Sequence, residues 1–142
     1  MQQLLKISEA ASLALHTMGV LAAEPKRLIS NREMAQRLRV SEAHLAKVMQ
    51  RLGRAGLVRS QRGPKGGFSL LRRPQDITLL EVYEATEGPL EQRRCLLARP
   101  MCDGNCMLGG LLSQVGDRVR DYFANTRLSD ITDSFQSEAL HA

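Results

Sequence analysis

The sequence predicts a mainly α fold with a small β-wing: a winged helix-turn-helix followed by a long dimerisation helix. Three observations predict it. Residues 41–73, SEAHLAKVMQRLGRAGLVRSQRGPKGGFSLLRR, read as helix, strand, tight turn and strand. The same stretch carries Lys47, Arg51, Arg54, Arg59, Arg62, Lys65, Arg72 and Arg73, eight basic residues from Lys47 to Arg73 with no acidic one between. The whole chain has 20 basic and 15 acidic residues, so the rest holds 12 against 15 and the basicity is local. Local positive charge suits a surface that faces phosphates; charge alone would favour a plain solvated face, and its coincidence with the helix-and-wing pattern turns the balance. Third, Leu108, Leu111, Leu112, Val115, Val119, Tyr122 and Phe123 form one long apolar stripe from Met107 to about residue 124. That stripe is long for a chain of 142 residues and suits a dimer interface as well as a core.

The elements follow in order. Ile7, Ala11, Ala14, Met18 and Leu21 mark one face of a first helix over 7–22. Ala10, Leu13, Leu15 and Val20 make it apolar on more than one side, which predicts burial between two surfaces, the second a partner subunit. Ser30 and Glu33 have capping-box spacing before Met34, Ala35 and Leu38, which predicts a short helix over 31–38. Arg39 and Val40 make the turn, and Ser41 caps a third helix with Leu45, Val48, Met49 and Leu52 inward. Gly56 ends that helix. Residues 57–60 and 68–71 are the strands, joined by the turn at Gly63, Pro64, Gly66 and Gly67. Thr78 and Glu81 repeat the capping pattern before a helix over 79–87, closed by Gly88 and Pro89. Residues 89–106 are irregular and hold all three cysteines, and the tail from Asp133 is polar and expected to fray. The organisation expected is a winged helix-turn-helix over 1–88, a cysteine-rich loop over 89–106, and a dimerisation helix with a C-terminal tail over 107–142.

Composition excludes several classes. The chain is 43% apolar with no tryptophan, so its core is Leu, Val, Ala and Met. No run of about 18 apolar residues is present and the N-terminus lacks the order of a signal peptide, which predicts a cytoplasmic protein. There is no glycine-rich phosphate loop, nucleophile elbow or metallohydrolase motif, so an enzyme is not expected.

Cys95, Cys102 and Cys106 are spaced C-x6-C-x3-C in a loop that runs into a helix N-terminus. An odd number of cysteines in a reducing compartment argues against a disulfide framework. Thiolates suit a helix N-terminus because the dipole favours negative charge there. Three thiolates in one loop can reach one metal centre, yet zinc or an iron–sulfur cluster usually takes four ligands. A zinc site, a thiol–disulfide sensor and three unrelated thiols stay open on the residues alone.

The motifs LGRAGLVRSQRGPKGGF, ITLLEVYEATEG, the three-cysteine loop and NTRLSDI cover nearly the whole chain. Together they resemble the bacterial winged-helix iron–sulfur transcription regulators typified by IscR and NsrR. The resemblance implies a homodimer on near-palindromic promoter DNA, with the third helix in the major groove and the wing in the minor groove. It implies a bound iron–sulfur cluster, either 2Fe–2S or 4Fe–4S, that senses redox, nitric oxide or iron–sulfur status through Cys95, Cys102 and Cys106. The usual spacing in that family is C-x5-C-x5-C, from which this chain departs. The histidine that completes the cluster in IscR-like members is Gly109 here. In NsrR-like members an acidic residue of the first helix, donated across the dimer, takes that place, and the apolar pattern aligns Glu9 with it. An ordinary acidic residue in a first helical turn is the plain alternative for Glu9.

Within the reading module, Glu42, Ala43, His44, Ala46 and Lys47 lie off the apolar face at the start of the third helix, where such proteins meet base edges. His44 and Lys47 can donate to guanine and Glu42 can accept from cytosine. Arg51, Arg59 and Lys65 are expected on the same DNA-binding surface. Arg62 stands at the wing tip, placed to enter a narrow minor groove.

Overall fold

The computed structural model describes residues 7–91, 95, 97, 99, 101–103 and 106–139. Residues 92–94, 96, 98, 100, 104 and 105 of the cysteine segment and 140–142 of the expected tail lie outside the described residues. Six α-helices are present among those described: α1 (Glu9–Ala23), α2 (Asn31–Leu38), α3 (Glu42–Arg54), α4 (Leu79–Glu87), α5 (Gly109–Asn125) and α6 (Leu128–Ala139). A hairpin of β1 (Val58–Gln61) and β2 (Gly67–Leu70) lies between α3 and α4, and a 3-10 turn over Pro74–Asp76 leads into α4.

The N-caps are the ones that hydroxyl chemistry predicts. Ser8, Ser30, Ser41 and Thr78 each accept a bond from a backbone N–H in the first turn of α1, α2, α3 and α4. Only the box at Thr78 and Glu81 closes in both directions. At Ser30 the expected box is half-made, because Glu33 turns its carboxylate to Arg27 at 2.8 Å and Arg37 at 2.9 Å instead. Arg39 takes the left-handed conformation, φ 56°, and turns the chain between α2 and α3. Asn31 Nδ2 donates to the Glu42 carbonyl at 3.0 Å and pins the two helix starts together. Gly56, at φ 74°, supplies the left-handed residue that stops α3.

The core forms around α1. Ala11, Ala14, Met18 and Leu21 are buried with Leu45, Val48, Met49 and Leu52 of α3 and Val82 of α4. Each large side chain so buried contributes about 1.5–3 kcal/mol, which fixes the inward face of α3 and therefore its outward one. The second surface against α1 is α6 of the same chain, not the partner subunit that the apolar pattern suggested. The Phe135 ring of α6 lies directly over Gly19, where no side chain stands in its way, and meets the His16 ring edge-on at 6.1 Å. The tail expected to fray is thus helical to Ala139. Its apolar contacts come from Leu128, Ile131 and Phe135 among polar residues, too sparse a stripe to read as a docked helix.

The hairpin pairs Val58 with Leu70, Arg59 with Ser69 and Ser60 with Phe68. Phe68 also bridges to Ile29, with N–H to O distances of 2.8 and 3.1 Å, so the wing is tied to the segment before α2. The turn demands glycine where the chain folds closest on itself. A Cβ on Gly66 would lie 2.0 Å from the Gln61 carbonyl oxygen.

α5 leaves its stripe largely uncovered within one chain. Phe123 is buried against Tyr83, whereas Leu111 and Tyr122 are 56% and 60% exposed. No described helix is long and apolar enough to cross a membrane.

Candidate nucleic-acid interface and cysteine loop

Helix geometry sorts the residues of α3 by side. With Leu45, Val48, Met49 and Leu52 inward, the ridge facing straight out is Ala43, Lys47, Gln50 and Arg54, and all four are exposed. Of these, Ala43 and Lys47 are among the expected base contacts, Arg54 belongs to the basic stretch expected to face phosphates, and Gln50 is named by neither reading. Continuing the helical spacing from Ala43 and Lys47 leads to Gln50 and Arg54 on the same ridge. Glu42 is exposed at the first position of the helix.

His44 and Arg51 lie on the flank that faces α1 and α4. His44 Nδ1 is 3.7 Å from Glu9 Oε1 of the same chain. Arg51 Nη1 donates to the Thr86 carbonyl at 3.0 Å, near the end of α4. The guanidinium expected on phosphates is therefore bonded to a helix C-terminus, where the dipole favours a cation.

Strand alternation sorts the wing in the same way. Val58, Ser60 and Phe68 face the recognition helix, and together with Asn31, Gln50 and Arg62 they help line a groove of about 610 Å³. Arg59, one residue out of phase, points to the opposite face and donates to Ser69 Oγ at 3.2 Å. Arg62 stands at the mouth of the groove and Lys65 is exposed beyond it.

The basic stretch is less uniformly free than its composition suggests. Arg72 bonds Glu81 at 2.8 Å and Arg73 bonds Asp76 at 2.8 Å. Among the described residues Lys47, Arg54, Arg62 and Lys65 have no acidic partner. These four cations, on α3 and the wing, form the surface available to phosphates.

All three cysteines are free thiols, Cys102 exposed and Cys95 and Cys106 partly covered. Cys106 lies beside Cys102, and its negative charge, above all, pushes the Cys102 thiol up; Cys95 acts in the same direction. The Cys106 carbonyl accepts from Gly109 N–H at 3.2 Å, so this thiol stands at the start of α5, whose first turn has no side-chain cap. Reduced thiols that repel one another as anions, beside uncapped N–H groups, fit a site that a cation neutralises. Among the described residues no three His, Cys, Asp or Glu side chains stand close enough together to hold a metal unaided. Glu9 is not brought to the cysteines within one chain; its side chain is 80% exposed beside His44.

A winged helix with free cations on its third helix and wing defines a DNA-binding regulator. The chain belongs to the Rrf2 family, described as iron-dependent transcriptional regulators, whose model matches residues 7–134. It is 30% identical to a helix-turn-helix-type transcriptional regulator of Aquifex aeolicus over 87% of this chain and 89% of that one. It is 33% identical to the transcriptional regulator NsrR of Shouchella clausii over 64% of this chain and 62% of that one. Its fold matches CymR, the global cysteine regulator of Bacillus subtilis, with a TM-score of 0.75, 28% identity, and coverage of 92% and 98%. These relatives are regulators and not enzymes, as the absence of enzyme motifs led us to expect. The expected winged-helix fold and the resemblance to IscR and NsrR both hold.

Proposed function

We propose that this DNA-binding regulator is a cytoplasmic homodimer that senses redox, nitric oxide or iron–sulfur status through an iron–sulfur cluster. The observation that supports the reading is that the one segment between α4 and α5 carries three free thiols, with Cys106 at an uncapped helix start. Cys95, Cys102 and Cys106 hold the cluster, and Glu9 of the partner subunit completes it. When bound, such a cluster supplies a redox-active centre whose ligand bonds change with its state. The uncovered stripe of α5, with Leu111, Val115 and Tyr122 outward, is the dimer surface. Residues 1–88 form the reading module, 89–106 the sensing loop, and 107–142 the dimerisation segment with its tail.

The reading module places α3 in the major groove and the wing tip in the minor groove. Ala43 and Lys47 face the bases, with Glu42 and His44 at the edge of the contact. Arg62 and Lys65 hold the wing on the duplex. Arg59, on the outer face of the hairpin, meets phosphate from the side.

Anaerobic purification with iron and sulfide counts and a visible spectrum tests the sensor. Iron and sulfide in equal amounts, lost in Cys95→Ala, Cys102→Ala and Cys106→Ala, are expected. Gel shifts in both cluster states then read the regulation.

One observation favours a second reading, a cluster-free regulator with the cysteines as a zinc site or thiol switch. Cys102 and Cys106 are close enough for the charge on one to raise the other, a starting point for a disulfide. Zinc without sulfide, or reversible loss of two thiols on oxidation, would select it.

A further inference from the structure

We infer that Gln50 is a specificity-determining residue for this regulator, reading an adenine in the major groove through its carboxamide. Gln50 is exposed on the outward ridge of α3, between Lys47 one turn before and Arg54 one turn after. Two cations without an acidic partner among the described residues thus flank a neutral amide, so the charge that draws the duplex in lies on either side of Gln50. A glutamine amide offers one donor and one acceptor side by side, which matches N7 and N6 of adenine and no other base edge as well.

The surroundings of Gln50 point to a close partner. Ala43, Ala46 and Gly53 are its neighbours on the ridge and on the wing side of α3. Gly53 lies inside the helix, where glycine is less favourable than alanine. Nothing in the fold requires it: its φ is not positive, and an added Cβ would meet only the Val58 carbonyl oxygen, at 4.0 Å. Packing would accept a side chain there, so the bare backbone serves the approach of something from outside. Gln50 is also the polar residue of α3 that shares its groove with Arg62 of the wing tip. A duplex engaged by Arg62 and Lys47 together passes over Gln50. His44 is turned aside toward Glu9, Ala43 and Ala46 have no hydrogen-bonding side-chain groups, and Lys47 only donates, so the paired donor and acceptor that adenine needs come from Gln50.

The inference rests on α3 lying in the major groove. The test is selection of bound sequences from a random duplex library with the full-length wild type, Gln50→Ala and Gln50→Glu, at matched salt. Wild type is expected to enrich an A·T pair at one symmetric position in each half-site. Gln50→Ala is expected to lose that preference by about ten- to a hundredfold while other positions keep theirs. Gln50→Glu, an acceptor only, is expected to shift it toward cytosine. The same enriched sequence from wild type and Gln50→Ala would overturn the inference, as would an affinity loss equal for all sequences. Methylation protection at guanine N7 on the wild-type complex separates the two failures: protection there keeps α3 in the major groove even if Gln50 reads nothing, and its absence removes the reading beneath.

Discussion

Arg51 Nη1 donates to the Thr86 carbonyl at 3.0 Å, so the recognition helix and the root of the cysteine loop share a charge-assisted bond. Thr86 is followed by Glu87, Gly88 and Pro89, where the loop begins. Ser8, the cap of α1, donates to Glu87 at the same junction. The starts of α1 and of the loop, and the flank of α3, therefore meet in one place.

Arg51 should behave as a structural tie and not as a phosphate contact. Arg51→Ala is expected to cost about 1–2 kcal/mol in urea unfolding. The slope of log affinity against log salt should stay as in wild type. Lys47→Ala, in contrast, should lower that slope by about one. A slope reduced equally by both substitutions would return Arg51 to the phosphate surface.

Acid should loosen the link between α1 and α2. Glu24 is held below its ordinary value first by its hydrogen bond to Arg37, against the opposing effect of burial and with help from Arg27. The folded state therefore binds fewer protons at this site than the unfolded state, and stability rises with pH across the titration. The contribution is whole above the usual glutamate range, about 4.3, and disappears as the pH falls through the lower folded value. Glu24→Gln should be less stable than wild type at pH 7, with the difference shrinking toward pH 3. Urea midpoints measured across that range check the sign.

The contact between Gly19 and Phe135 should control the docking of α6. A Cβ at Gly19 would lie 2.4 Å from the ring, so Gly19→Ala must displace Phe135 or tilt α6. Phe135→Ala removes the same contact without a clash, at about 1–3 kcal/mol for a partly buried ring. Faster amide exchange in α6 in both variants, with α3 protection kept, is expected. If exchange in α6 is unchanged in Gly19→Ala, the ring is not the clamp.

Most of the reading half was legible from residue types because local rules govern it. Ser30 and Ser41 cap, Gly56 stops, and the inward row from Leu45 to Leu52 sets the rotation of α3. What escaped was decided by partners distant in the chain. Nothing in the sequence around Arg51 announces Thr86, and nothing around Glu33 says that Arg27 and Arg37 will take its carboxylate from the capping box. Arg59 and Arg62 look alike in sequence and separate only when the hairpin register puts Ser60 on the groove side. In the cysteine segment the pattern names the donors, but spacing cannot say which thiols meet. The neighbourhood of Cys102 and Cys106 is a property of the folded loop.

Glu9 carries the sharpest prediction about sensing. Its carboxylate is 3.7 Å from His44 on α3 and is largely exposed, so within one chain it is held weakly and is free to turn to another partner. A carboxylate is a hard, weak ligand for iron beside thiolates, and its bond should be the first to give way. If Glu9 of the partner subunit completes the cluster, binding there withdraws the acid from His44 and leaves the flank of α3 with one neighbour fewer. Glu9→Ala should then retain much of the iron and sulfide but alter the visible spectrum, and its DNA affinity should no longer follow the state of the cluster. His44→Ala should keep the wild-type spectrum while weakening that same response, because the ligand is intact and only its contact with α3 is gone. The two variants compared by spectrum and by gel shift in both states form the check. A Glu9→Ala protein matching wild type in both measurements would make Glu9 a surface residue, and the fourth ligand would have to come from a water, a small thiol or another acid such as Asp103.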